Sequence, residues 1–171
     1  PIFNLNWKKG WRYRRVRKLE INESPSTVCD VIWRKNAPAQ MARANSTGFP
    51  VIYLAHRQDT AFSEVGVIND NVVISEYEIL PTKAIRVAPI GEIMNIQRTG
   101  RGFLTPSSQC INEMLNACNL NEARSLLITD SFLFDCLNNR ENNYELSSHV
   151  AMSIFKKSKV TAIAYPSQRQ F

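Results

Sequence analysis

The order of strand-like and helix-like segments is the feature that most constrains how this chain can fold. Four segments with strand character come first, at residues 12–18, 51–55, 71–79 and 83–90. Three helical patterns follow, at residues 107–119, 122–138 and 144–157, and strand character returns at residues 160–167. Strands and helices therefore do not alternate strictly. This order predicts an α+β fold with a mixed, largely antiparallel sheet core and helices packed on it.

Two intervening segments complete the prediction. Residues 59–67, "DTAFSEVGV", have apolar side chains at helical spacing, with Asp59 or Thr60 as the expected cap. Residues 91–106 are polar and contain glycines, which predicts a loop.

The length and composition indicate one globular domain over residues 1–171. A chain of this length can bury a sizeable core, and 44% hydrophobic with 21% charged residues is ordinary for such a domain. No apolar run approaches the roughly 18 residues of a membrane span. The chain begins with proline, so we expect a processed product or a part of a longer polypeptide.

The net charge of +6 predicts attraction to anions such as a phosphorylated cofactor, nucleic acid or an acidic protein. Four cysteines without a CxxC pair, together with only two histidines, argue against a structural zinc site. The chain also lacks the glycine-rich phosphate motifs, HExxH and GxSxG. A dinucleotide would therefore have to be bound without a glycine-rich loop.

A basic run near the start of the chain leaves two interpretations open. Trp7, Trp11 and Tyr13 are interleaved with Lys and Arg over residues 7–18, a mixture that single-stranded nucleic-acid platforms use. The alternative is an edge strand whose charges prevent self-association. Strand alternation places Arg15 and Arg17 on one face, opposite Val16.

Residues 41–65 carry an arginine, an aromatic ring and a carboxylate on three successive elements, namely Arg43, Tyr53 and Glu64. The run "ARANSTGFPVIYLAHRQDTAFSEV", followed near the end by "ELSSHVAMSIFKKSKVTAIAYPS", resembles the RES domain, a family of bacterial toxins. The upstream "RYRRVRK" is similar to the opening Arg-x-Arg strand of that family.

The resemblance implies an ADP-ribosyltransferase-like fold that consumes NAD as its substrate and needs no metal. It implies Arg43, Glu64 and Ser167 as catalytic residues, and Tyr53, Arg43, Arg15 and Arg17 as cofactor-binding residues. The implied activity is cleavage of the nicotinamide–ribose bond by a glycohydrolase or phosphorylase; transfer of ADP-ribose to a protein is the alternative. It further implies a cognate antitoxin or immunity protein and action in the bacterial cytoplasm, with delivery into a target cell left open.

The chemistry of NAD cleavage suits these residue types. The reaction passes through an oxocarbenium-like state, whose positive charge a carboxylate such as Glu64 stabilises. The pyrophosphate needs a planar, permanently charged donor such as Arg43. Tyr53 offers a face for the nicotinamide, and Ser167 a hydroxyl for positioning. Taken singly, each of these residues also has an ordinary structural explanation, as a solvated charge, a core aromatic or a turn residue.

Overall fold

The computed structural model describes residues 2–7, 10–32, 39–104, 107–138 and 144–167, and these contain six helices and five strands. The elements are β1 (Leu5–Trp7), β2 (Arg12–Lys18), α1 (Val28–Val31), α2 (Gln58–Val65), β3 (Val72–Glu78), β4 (Ile85–Pro89), α3 (Glu92–Thr99), α4 (Ser107–Ala117), α5 (Leu120–Asn138), α6 (Glu145–Ser158) and β5 (Ala162–Ala164). The predicted α+β class is confirmed.

The strands form two small sheets with mostly antiparallel pairing. In the three-stranded sheet, of order β1-β4-β5, β4 is antiparallel to β1 and parallel to β5. The second sheet pairs β2 with β3 antiparallel along their full length, from Arg12 opposite Glu78 to Lys18 opposite Val72. β4 is the central strand of the first sheet, and Val87 and Ala88 on it are fully buried.

Two hydrophobic clusters form the core, one between the first sheet and two helices and one among helices. One joins β4 to α5 and α6 through buried residues that include Ala88, Leu137 and Ile154, and Ala44 belongs to it. The other joins α3, α4 and α5 through Ile93, Ile96, Ile111 and Leu126. Because Ala44 packs into the first cluster, the segment next to Arg43 is anchored in the core.

The prediction of a strand at residues 51–55 is wrong. Only Ala55 has a strand-like partner there, since it exchanges backbone hydrogen bonds of 2.7 and 2.8 Å with Arg14 on β2. Tyr53 and Leu54 are 41% and 38% exposed. The apolar run was consistent with a buried strand, but the segment lies at the surface, and the Tyr53 hydroxyl bonds to residues 44 and 45.

The prediction of a loop at residues 91–106 is also wrong for half of that range, and residues 105 and 106 lie outside the described part of the chain. α3 occupies Glu92–Thr99, with left-handed glycines at both of its ends, Gly91 (φ 82°) and Gly100 (φ 72°). Asp130 on α5 accepts hydrogen bonds from the N–H groups of Gly91 (2.8 Å) and Met94 (2.9 Å). The glycines therefore delimit a helix whose cap comes from a distant part of the chain.

A buried carboxylate fixes the segment that follows α3. Glu92 is fully buried and accepts hydrogen bonds from the N–H groups of Phe103 (2.8 Å) and Leu104 (3.1 Å). This arrangement requires Gly102, because a Cβ atom there would lie 2.8 Å from Glu92 Cδ and closer still to Oε1. The region is thus held by specific hydrogen bonds.

We expect Gly102→Ala to lower the free energy of unfolding by about 1–3 kcal/mol, because the Glu92 carboxylate cannot move away without losing both N–H partners. Urea unfolding followed by circular dichroism measures the change. An unchanged unfolding midpoint would contradict the close packing of Gly102 on Glu92.

Candidate functional site

A tight turn presents Arg43. Ala42 and Asn45 exchange backbone hydrogen bonds of 3.0 and 3.2 Å, and Arg43 and Ala44 lie between them. Asn45 is buried, and its Nδ2 donates to the carbonyl oxygens of Gln40 (2.8 Å) and Ser46 (3.3 Å). The backbone on both sides of Arg43 is therefore fixed, which limits where its guanidinium can reach.

The hydroxyl of Tyr53 is part of the same turn. It accepts a hydrogen bond from the Ala44 N–H (2.8 Å) and donates one to Asn45 Oδ1 (3.0 Å). Burial raises the pKa of Tyr53, opposed by the Ala44 hydrogen bond and the charge of Arg43, so the phenol is neutral near pH 7. Tyr53 thus supports Arg43 with its hydroxyl while part of its side chain remains accessible.

We expect Tyr53→Phe to lower the free energy of unfolding by about 1–3 kcal/mol, because it leaves the buried Ala44 N–H and the Asn45 side-chain oxygen Oδ1 without this partner. Tyr13→Phe is the matched control, since the Tyr13 hydroxyl is buried without a hydrogen-bond partner among the described residues. Urea unfolding of both variants tests this. Equal stability of the two variants would show that the turn does not depend on Tyr53.

Glu64 and Ser167 meet although they are far apart in the sequence. Glu64 lies in the last turn of α2, which ends at Gly66 in the left-handed conformation (φ 65°). The Ser167 hydroxyl, three residues after β5, donates a short hydrogen bond to Glu64 Oε1. Both side chains have solvent access, so a ligand can reach the carboxylate.

Tyr165 connects the two halves of the site. Its side chain packs against the hydrophobic cluster that contains Ala44, the neighbour of Arg43. It lies close enough to Arg43, Tyr53 and Glu64 for their charges to affect its pKa. Burial is the main cause that raises the pKa of Tyr165, and Arg43 opposes this shift. The structure therefore brings Arg43, Tyr53, Glu64 and Ser167 together around one neutral phenol.

Arg43 and Glu64 lie at this site without neutralising each other. Within the described part of the chain, the two side chains form no ion pair. Glu64 accepts a hydrogen bond from the neutral Ser167 hydroxyl instead, and Arg43 lies near the neutral Tyr165 phenol. A guanidinium and a carboxylate that share a site but are unpaired are available to a ligand carrying both negative and developing positive charge.

The model of one protein family, the RES domain, matches residues 11–171. The chain belongs to the RES domain family. No curated protein and no solved structure gives a significant match. The match starts after β1, so the strand Leu5–Trp7, which pairs with β4, lies outside the matched range.

Membership in the RES domain family is consistent with a toxin–antitoxin domain that acts on NAD. In the described part of the chain, no helix is long and apolar enough to cross a membrane. The structure places the four predicted site residues near one another, and their catalytic and binding roles remain predictions. These residues are Arg43, Tyr53, Glu64 and Ser167.

Arg15 and Arg17 of the RES domain hold the segment that contains α1. Arg15 Nη1 donates to the carbonyl oxygens of Val31 (2.5 Å) and Ile32 (2.6 Å). Arg17 pairs with Glu23 at 2.6 Å and donates to the Asp30 carbonyl at 3.2 Å. These contacts give both arginines a structural task, and their predicted role in cofactor binding stays a prediction.

The aromatic residues of the basic run stack on one another. Trp7 is parallel to Trp11 and to Tyr13, with ring centroids 6.0 and 5.7 Å apart, and Trp11 also contacts His56. Arg12 and Arg14 pair with Glu76 on β3. Lys8 and Lys9 lie outside the described residues. Because these rings and charges already have partners, the arrangement favours a structural role over a nucleic-acid platform.

Two site residues were not found from the sequence. No sequence pattern marked Asn45, because a polar residue in a loop is ordinary. Its importance comes from its burial and from its hydrogen bond with the Tyr53 hydroxyl. Tyr165 lies in the "YPS" that ends the second matching run, but nothing in the sequence shows that its side chain packs near Arg43.

Proposed function

We propose that this RES domain is a bacterial toxin that depletes NAD by cleaving the nicotinamide–ribose bond, as a glycohydrolase or phosphorylase. The observation that supports it most is that Arg43 and Glu64 lie at one site without forming an ion pair among the described residues, with Glu64 bonded to the Ser167 hydroxyl. A dinucleotide offers this site a pyrophosphate for the guanidinium and a reacting ribose for the carboxylate.

In the proposed reaction, the bond between the ribose anomeric carbon and the nicotinamide nitrogen breaks, and its electron pair leaves with nicotinamide. Glu64 stabilises the positive charge that develops on the ribose. The oxygen of water or phosphate then bonds to the anomeric carbon; water gives up its proton to solvent. Arg43 binds the pyrophosphate, and the accessible part of Tyr53 orients the nicotinamide ring.

Product analysis of NAD turnover tests the proposal. Purified protein is incubated with NAD, with and without phosphate, and the products are separated by liquid chromatography and mass spectrometry. ADP-ribose indicates hydrolysis, and a phosphorylated ADP-ribose that forms only with phosphate indicates phosphorolysis. NAD that stays intact under both conditions would refute the proposal.

A second assay distinguishes NAD depletion from the transfer of ADP-ribose to a protein. With labelled NAD and bacterial lysate, transfer gives a discrete labelled protein band. Depletion gives only small labelled products.

We also propose a cognate antitoxin or immunity protein that covers this site with an acidic face. A net charge of +6 and an accessible arginine favour an acidic partner. Expression of the domain in bacteria should arrest growth and lower cellular NAD, and co-expression of a neighbouring gene product should restore both. Normal growth with an active enzyme in the cytoplasm would contradict the need for such a partner.

A further inference from the structure

An open groove of about 540 Å³ lies between helices α3 and α5. Ile128 and Phe132, which are one helical turn apart on α5, line this groove and are 69% and 59% exposed. Met94 on α3 and Leu127 on α5 are the other apolar side chains of its lining, and both are half-buried. Single exposed apolar residues are ordinary, but apolar side chains that share one groove indicate a surface that binds a partner.

The groove is preformed, because specific contacts hold α3 on α5 in one orientation. The ring of Phe134 occupies the space that a Cβ atom at Gly91 would take. Asp130, one turn earlier on α5, accepts the hydrogen bond from the Met94 N–H at 2.9 Å. Later residues of α3 therefore lie beside earlier residues of α5, and the two helices run antiparallel.

The two charged side chains of the lining lie toward opposite ends of this groove. Arg98 follows Met94 by one turn of α3, and Asp135 follows Asp130 by more than one turn of α5. Because the helices run antiparallel, these two steps lead in opposite directions from the contact between Met94 and Asp130. Arg98 and Asp135 are exposed, and neither forms an ion pair with any residue that the structure describes. The groove thus offers a cation toward one end and an anion toward the other.

A second copy of the chain is the partner that this charge pattern fits. In a two-fold symmetric dimer each contact occurs twice, with one residue of the first copy against a different residue of the second and the reverse. Two grooves that face each other about an axis between Ile128 and Phe132 bring Arg98 of each copy to Asp135 of the other. We propose that the groove between α3 and α5 is the two-fold interface of a homodimer, with apolar packing at its centre and an Arg98–Asp135 ion pair at each end.

Sedimentation velocity over a range of protein concentrations tests the wild-type protein first. Because each copy contributes only a few apolar side chains, we expect a dissociation constant of about 1–100 μM. A protein that stays monomeric up to about 1 mM would overturn the proposal. Assemblies larger than a dimer would also overturn it, because a two-fold contact closes on itself.

Reversal of one charge tests the pairing. Arg98→Glu places an acid against Asp135 of the other copy in both ion pairs, and Asp135→Arg places a base against Arg98. We expect each variant to raise the dissociation constant of the dimer at least about tenfold. Arg57→Glu is the matched control, because this 68% exposed side chain precedes α2 and does not line the groove. Equal weakening by the control would mean that net charge, and not the pairing, controls association.

A mixture of the two groove variants gives the most specific result. When Arg98→Glu protein meets Asp135→Arg protein, opposite charges face each other at both ends of the interface. We expect the mixture to dimerise with an affinity within about threefold of the wild type, although neither variant dimerises alone at the same concentration. A mixture that stays monomeric, from variants with wild-type circular dichroism spectra, would overturn the two-fold pairing. No step measures NAD turnover, so the result is independent of the proposed function.

Discussion

Glu64→Gln should lower kcat for nicotinamide release from NAD by about 100- to 1000-fold, with a small change in KM. Glutamine has the size of glutamate and retains an oxygen that can accept the Ser167 hydrogen bond, so the geometry of α2 and of the segment after β5 is preserved. It lacks the negative charge that stabilises the oxocarbenium-like state. The loss therefore falls on the transition state, and steady-state kinetics of nicotinamide release measures it.

Asp59→Asn is the matched control for Glu64→Gln. Asp59 lies in the first turn of the same helix and has an 83% exposed side chain. The control removes an equal charge from α2 at a distance from Ser167, and we expect kcat to stay within about twofold of the wild type. A similar loss in both variants would mean that helix stability, not the Glu64 carboxylate, sets the rate.

Arg43→Lys should raise the KM for NAD by about 10- to 100-fold. Lysine keeps the charge, but its single ammonium lacks the planar pair of N–H donors that binds two phosphate oxygens at once. The turn itself should persist, because Asn45 and Tyr53 hold its backbone. Initial rates over a range of NAD concentrations measure the change.

Nicotinamide riboside makes this prediction specific, since it has the reacting bond but no pyrophosphate. If Arg43 binds the pyrophosphate, Arg43→Lys should slow cleavage of NAD much more than cleavage of the riboside. Arg57→Lys is the control, because Arg57 precedes α2 and its side chain is 68% exposed. Equal losses on both substrates would assign Arg43 to the ribose instead.

Local patterns predicted most of the regular structure. Strands β2, β3 and β4, and helices α4, α5 and α6, lie within a few residues of the predicted ranges, because each has a clear apolar period of its own. α2 begins at Gln58, ahead of the expected caps Asp59 and Thr60. Helix ends depend on backbone geometry that composition constrains weakly.

The two wrong predictions have a common cause, since each depended on a side-chain contact made outside the segment itself. α3 exists because Asp130 on α5 caps it and the buried Ile93 and Ile96 hold it in the second cluster. Residues 51–55 do not join a sheet. The Tyr53 hydroxyl bonds to residues 44 and 45, which holds this segment against the turn at the surface. Neither contact leaves a periodic pattern in the sequence.

The sequence predicted which residues belong to the candidate site, but not the contacts that hold them there. The resemblance supplied Arg43, Tyr53, Glu64 and Ser167, and the fold brings these four together. It did not supply Tyr165 or Asn45, whose importance lies in their contacts within the folded chain. Arg15 and Arg17, which the resemblance placed at the cofactor, bond to the segment around α1.

The occupied hydroxyl of Tyr53 bears on inhibitor design. Its hydrogen bonds to Ala44 and Asn45 already satisfy the phenol, so a compound that aims an acceptor at this oxygen would compete with the turn that carries Arg43. A flat heterocycle laid against the exposed part of the ring, joined to an anionic group for the guanidinium, would use the surface that the protein leaves open.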